Sequence, residues 1–117
     1  MQRRFRLTRG EDFARVREHG RTYQHRLLLL TVVSNGLPFN RYGFVTSKRL
    51  GNAVTRNRAR RVLREVIRQL HPRLCPGFDV VIVARREIVG QHFLSVSRTV
   101  LEMVQRAGLL RVEGELS

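Results

Sequence analysis

A chain of 117 residues with 42% hydrophobic content is one domain in size, long enough to bury a core and too apolar for a disordered chain. Its formal net charge of +14 opposes compaction and points to a polyanionic partner, with nucleic acid ahead of anionic membranes or acidic proteins. The single cysteine, Cys75, excludes an internal disulfide and a cysteine-built zinc cluster, and no histidines stand at metal-ligand spacing.

The first residues, "MQRRFR", read as a loosely ordered basic arm over 1–6. "LTRGEDFARVREHG" predicts a short helix, capped by Thr8 or Gly10, with Glu11 and Asp12 at its positive end and Gly20 as its stop. Phe13, Val16 and Leu7 form its apolar side. The run Leu27–Val33 predicts a strand, and "RYGFVTSK" from Arg41 a second, with Tyr42, Phe44 and Thr46 on one face and Gly43, Val45 and Ser47 on the other. The short polar loop between them makes an antiparallel pair the simplest expectation.

A long helix is expected from Asn52 or Ala53 until Pro72 breaks it, and "FDVVIVARR" reads as the last strand. The final helix carries Phe93, Val96, Val100, Met103, Val104 and Ala107 at helical spacing. A loose tail is expected over 111–117. Helix, strands, helix, strand, helix implies one compact α/β sandwich, read as a single domain over 1–117. No signal-like segment and no apolar run of about 18 residues occurs, so a soluble cytoplasmic protein, with no membrane partner, is expected.

The long helix is the informative element. Ala59, Val62, Leu63, Val66, Ile67 and Leu70 fall in one stripe roughly 140° wide at 100° per residue, which packs on the sheet. Asn57, Arg60, Arg61, Arg64 and Arg68 fall opposite, with Arg58 and Glu65 on one flank and Arg56 on the other. A merely solvated charged face would mix signs and gain from pairs four apart, yet Glu65 is the only acid available here. Cations in the first turns also oppose the helix dipole. Phosphates from a partner would neutralise both penalties. All but one of the 23 basic residues are arginine, and a guanidinium grips phosphate through two donors. Lys48 and Arg49 lead to a helix start that Asn52 can cap, and free N–H groups there attract anions.

The ordered run "KRLGNAVTRNRARRVLRE", with its Arg56-Asn57-Arg58 triplet, resembles the signature of the bacterial ribonuclease P protein subunit. The likeness extends to "EDFARVREHG", "GFVTSK" and "FDVVIVAR". It implies a two-layer α+β sandwich in the order α-β-β-β-α-β-α, with a mixed four-stranded sheet, three helices, a left-handed βαβ crossover and a short extra strand near Arg21 to His25. It also implies a partner RNA that, with magnesium ions, removes the 5′ leader of precursor tRNA, the protein itself being monomeric and contributing no catalytic residue. On this resemblance the RNA contacts are Arg56, Asn57, Arg58, Arg60, Arg61 and Arg64, supported by Lys48, Arg49, Asn52 and Arg68. A leader cleft would involve Phe13, Arg17, Leu29 and Thr31, although Arg17 and Thr31 stand where relatives often carry aromatics. Phe13 fits a core position of the first helix equally well.

Three other readings compete. A ribosome-associated RNA-binding protein would share the charge but not the Gly-Asn-Ala-Val and Arg-Asn-Arg run. A protein-only nuclease needs clustered carboxylates, whereas the nine acids are scattered. A DNA-binding regulator would need a dimerisation element or a second helix of a helix-turn-helix, and neither is evident.

Overall fold

A computed structural model describes residues 2–111 of the chain. Helix α1 spans Gly10–His19, strand β1 Arg21–Gln24, β2 Leu28–Ser34, β3 Arg41–Val45, helix α2 Ala53–Leu70, strand β4 Phe78–Ala84 and helix α3 Phe93–Arg106. Three α-helices and a mixed four-stranded sheet give the expected α+β class, including the short strand β1. Of the expected 111–117 tail, residues 112–117 lie outside the described residues.

The strand pairing departs from expectation in one place. The sheet order is β1-β2-β4-β3, so β2 and β3 are not partners, although one short loop joins them. β4 lies between them, antiparallel to β2 and parallel to β3. The physical reason is burial. Five of the seven β4 residues are buried, and a strand so apolar on both faces is most stable with a neighbour on each side. The parallel pair forces a crossover, and α2 provides it.

Alternation along the strands sorts the core into two parts. Leu28, Leu30, Tyr42, Val80 and Ile82 pack with α2 and α3, where Leu63, Val66, Ile67, Val100, Met103 and Val104 are fully covered. On the opposite face Val81 packs with Leu7 and Val16, and Phe13, Val33, Val45 and Val83 lie around them. The sandwich of sheet and α2/α3 is thus extended by α1 behind the sheet. α1 starts without a side-chain cap: Arg9 is the extended residue before it, and Gly10 already belongs to the helix. Gly20 ends it, and its N–H donates to the Val16 carbonyl at 2.7 Å.

Beyond β3 the sheet edge is partly covered. Residues Arg3–Phe5 form a 3-10 turn, Arg6 bridges Tyr42 in parallel, and the Leu7 N–H donates to the Tyr42 carbonyl at 2.8 Å. The basic arm therefore runs along the outer side of β3. On the α1 side, fully buried Asp79 fixes the start of β3. It accepts from Arg41 Nε and Nη2 at 2.9 and 2.7 Å, from Asn35 Nδ2 at 2.9 Å, and from Arg15 of α1. Burial alone would push this carboxyl up, but those hydrogen bonds and the charges of Arg41 and Arg15 hold it below its usual value.

Candidate nucleic-acid interface

A 3-10 turn over Lys48–Leu50 buries Leu50 as its anchor, and Gly51 turns the chain at φ 135, a conformation that favours glycine. Asn52 then caps α2, its side-chain oxygen accepting from the Thr55 N–H at 3.0 Å. No acid stands in the first turn of α2. The first residue of the helix and its cap thus agree with the sequence reading, and Lys48 and Arg49 are exposed beside them.

The apolar stripe of α2 is spent on the core, where Leu63, Val66, Ile67 and Leu70 are buried and Ala59 and Val62 half-buried. This fixes the rotation of the helix. Asn57, Arg58, Arg61 and Arg68 are exposed, and Arg56, Arg60 and Arg64 are half-buried at its edges. Among the described residues, Arg68 alone of this arginine set is paired with an acid, donating twice to Glu65 at 2.9 and 2.6 Å. Hydrogen bonds from Arg68 and Gln69 hold the Glu65 carboxyl down to about 2. Arg60 is aimed by two neutral oxygens, Asn57 Oδ1 at 2.9 Å and Thr46 Oγ1 at 2.6 Å. Arg64 is pulled below its usual value by burial and then by the charges of Arg6 and Arg60. Arg56 Nε is buried with no hydrogen-bond partner among the described residues. Among the described residues no acid pairs with Arg56, Arg58, Arg60, Arg61 or Arg64, which suits a partner that brings phosphates.

Beside this face, at the β3 edge, lies a groove of about 230 Å³ whose walls include Phe13, Tyr42, Phe44, Arg60 and Arg64. The Phe13 ring sits against Gly43, so closely that a Cβ there would stand 2.5 Å from its Cε1. Behind the sheet, α1 crosses the row Gly43, Val81 and Thr31. The next row, Val45, Val83 and Leu29, is in register and only half-buried. Arg17 is exposed on the flank of α1 opposite Asp12 and Arg15. As those two residues reach the Asp79 side, Arg17 overlooks the half-buried row.

The structure therefore brings Phe13 together with Arg60 and Arg64, and sets Leu29 and Arg17 along an apolar strip that continues across the sheet. It does not put Thr31 in the groove. Thr31 is buried, two strands from β3, with its hydroxyl 2.8 Å from that of Thr22 and its methyl beneath Gly20. The sequence reading missed Val45 and Val83. Their signal was present in the alternation of each strand, but only the pairing shows that they adjoin Leu29. Among the described residues no group of His, Cys, Asp and Glu could hold a metal ion, and no helix is long and apolar enough to cross a membrane.

The chain is similar to known proteins along most of its length. The Ribonuclease P family model matches residues 1–108. The Ribonuclease P protein component of Roseiflexus sp. (strain RS-1) is 44% identical over 112 residues, covering 95% of this chain and 92% of the relative. That of Chloroflexus aurantiacus is 43% identical over 111 residues, covering 94% and 82%. Among solved structures, the Thermotoga maritima RNase P protein superposes with a TM-score of 0.80 at 26% identity, covering 93% of this chain and 98% of that one. The Staphylococcus aureus RNase P protein shares the fold, with a TM-score of 0.85 at 24% identity over 92% and 98% of the two chains. With a family model over nearly its whole length and relatives above 40% identical across most of both chains, this chain belongs to the ribonuclease P protein family.

Proposed function

We propose that this chain binds the catalytic RNA of ribonuclease P and the 5′ leader of precursor tRNA, and so assists removal of the leader to give the mature tRNA 5′ end. One observation carries the reading: an arginine face with almost no acid of its own opens directly onto a groove floored by an aromatic ring. Arg56, Asn57, Arg58, Arg60, Arg61 and Arg64 contact the RNA, with Lys48, Arg49, Asn52 and Arg68 at the two ends of the same face. Phe13 and the strip of Val45, Val83 and Leu29, overlooked by Arg17, receive unpaired leader nucleotides, because aromatic and apolar walls beside guanidinium groups accept any base by stacking.

Cleavage belongs to the RNA and its magnesium ions in this reading. The α2 face does not suit a resident divalent cation, since its one carboxylate, Glu65, is already taken by Arg68 and Gln69. The chain's part is to screen phosphates, so that the metal-dependent form of the RNA persists at lower magnesium, and to hold the leader in place. The reaction occurs where precursor tRNA is made, in the cytoplasm.

The test adds this protein to a bacterial ribonuclease P RNA and follows 5′ maturation of precursor tRNA at low magnesium. Stimulation that depends on leader length supports the reading. Cleavage by the protein without RNA, or no stimulation by a folded protein that binds the RNA, would overturn it. A ribosome-associated role is disfavoured by the family match.

A further inference from the structure

A second aromatic cluster lies at the far end of α2, away from the groove. The turn between β2 and β3 is locked by Asn35, whose amide donates to the Phe39 carbonyl at 3.1 Å while its oxygen accepts from the Leu37 N–H at 2.8 Å. Phe39 is held out from this turn against Phe5 of the arm, with ring centroids 5.7 Å apart. Phe5 in turn lies 4.7 Å from the His71 ring. The Arg4 guanidinium stands 4.8 Å from the Phe5 centroid and 5.9 Å from that of Phe39. Arg111, tied by its Nε to the Leu74 carbonyl at 3.1 Å, forms another wall. Together they enclose a cleft of about 380 Å³. That is within the usual range for small-molecule sites.

The orientation of His71 is fixed from behind. Asn40 accepts from the Phe78 N–H through its oxygen, so its amide nitrogen is the group that donates to the Tyr42 hydroxyl at 3.2 Å. The Tyr42 proton then has His71 Nδ1, 2.8 Å away, as its acceptor. The imidazole proton is therefore on Nε2, which leaves that edge as a donor. Phe5 and His71 also line an adjoining recess with Arg68, at the end of the arginine face.

A packing role explains Phe5, which rests on the main core. It does not explain Phe39, which belongs to neither core cluster and touches Phe5 and Arg4 instead. Half-buried rings, a directed imidazole donor and guanidinium groups at the rim match the needs of one nucleotide: a flat face for the base and cations for its phosphate. We infer that this cleft is a second nucleotide site, which takes a single unpaired nucleotide of the partner RNA, its base stacked on Phe39 with the steeply inclined Phe5 ring alongside and its phosphate paired with Arg4 and Arg111. The inference rests on an RNA partner, which the family supplies, and is independent of leader binding in the Phe13 groove.

The test uses the full chain and a short single-stranded oligouridylate carrying 4-thiouridine, with an abasic oligomer of equal length as the control. Photo-crosslinks are expected at Phe39 and His71, and they persist when Arg60, Arg61 and Arg64 are all changed to Ala. Phe39→Ala and Phe39→Leu should each weaken binding of the oligouridylate about tenfold, the size of one lost stacked base, with abasic binding unchanged. Phe39→Tyr should keep the wild-type affinity. Thermal melting identifies any variant that has not folded, and Phe39→Leu keeps an apolar side chain in case Phe39→Ala unfolds. Crosslinks confined to the Phe13 groove, or abolished with the three arginines, would overturn the inference. So would equal losses on both oligomers in a folded Phe39→Leu protein. Failure of leader-dependent stimulation with these crosslinks intact would instead count against the proposed function alone.

Discussion

The Phe13 ring occupies the space that a side chain at residue 43 would need, its Cε1 only 2.5 Å from the position of a Gly43 Cβ. An edge strand has here given up a side chain so that a helix can set an aromatic ring against its backbone. The contact determines both how closely α1 approaches the sheet and how deep the groove is.

Gly43→Ala should therefore push Phe13 outward. Overpacking of this kind typically costs about 1–3 kcal/mol, read as a lower urea midpoint. Leader-dependent stimulation should fall with it, because the groove wall moves. A variant as stable and as active as the parent would show that the ring is free to shift.

Replacing Arg60, Arg61 and Arg64 by Ala should weaken RNA binding and reduce the steepness of its salt dependence. With three fewer guanidinium groups on phosphates, the slope of log affinity against log salt should fall by about 2–3. At low salt the same variant should melt no lower than the parent, since Arg60 and Arg6 both place like charge beside Arg64 in the free protein. An unaltered slope would remove this face from the interface.

Asp79→Asn should destabilise the fold by about 1–3 kcal/mol, because a fully buried acceptor loses its charge while its partners Arg41 and Arg15 stay partly open to water. The folded carboxyl lies below its ordinary value of 3.8, so its contribution is complete above that pH and fades as pH falls through the lower folded value. Urea titrations near neutrality and below pH 4 should show the parent losing stability in acid and the variant losing less. Parallel losses would assign acid sensitivity to other groups.

Tyr42→Phe should cost about 1–3 kcal/mol, because the buried Asn40 amide and His71 Nδ1 each lose a partner. Burial lowers His71 from its ordinary value of 6.5, so its neutral form stabilises the fold above that pH and the contribution is lost as pH falls through the folded value. A protonated Nδ1 no longer accepts the Tyr42 hydroxyl. The penalty of the variant should accordingly shrink in acid, measured by denaturation at pH 7 and pH 5; a constant penalty would mean that the hydroxyl bond to His71 contributes little.

What could be read from the sequence was local. Asn52 and Pro72 bracket α2 by capping and by steric exclusion, and the 3.6-residue period then fixes which side of the helix is apolar. Phe13 was visible as an apolar helix residue, but its contact with Gly43 was not, because nothing in the chain links the two positions before the sheet forms. The same holds for Asp79. Its partners Arg41 and Arg15 stand 38 and 64 residues away, so an acid that looks isolated in sequence sits at the centre of a network in space. The pairing of β2 with β3 was expected from their short loop, and the burial of β4 on both faces outweighed it.

The central place of β4 has a consequence for synthesis on the ribosome. β1 and β2 can form a hairpin as soon as they emerge, but β3 has no strand to pair with until β4, more than thirty residues later, has left the exit tunnel. The arginine helix emerges between these two events, before the sheet that is to bury its apolar side exists. A nascent chain of this design carries its cationic segment into an RNA-rich surrounding while still half-built, and polyanions there can engage it before the last strand locks the fold.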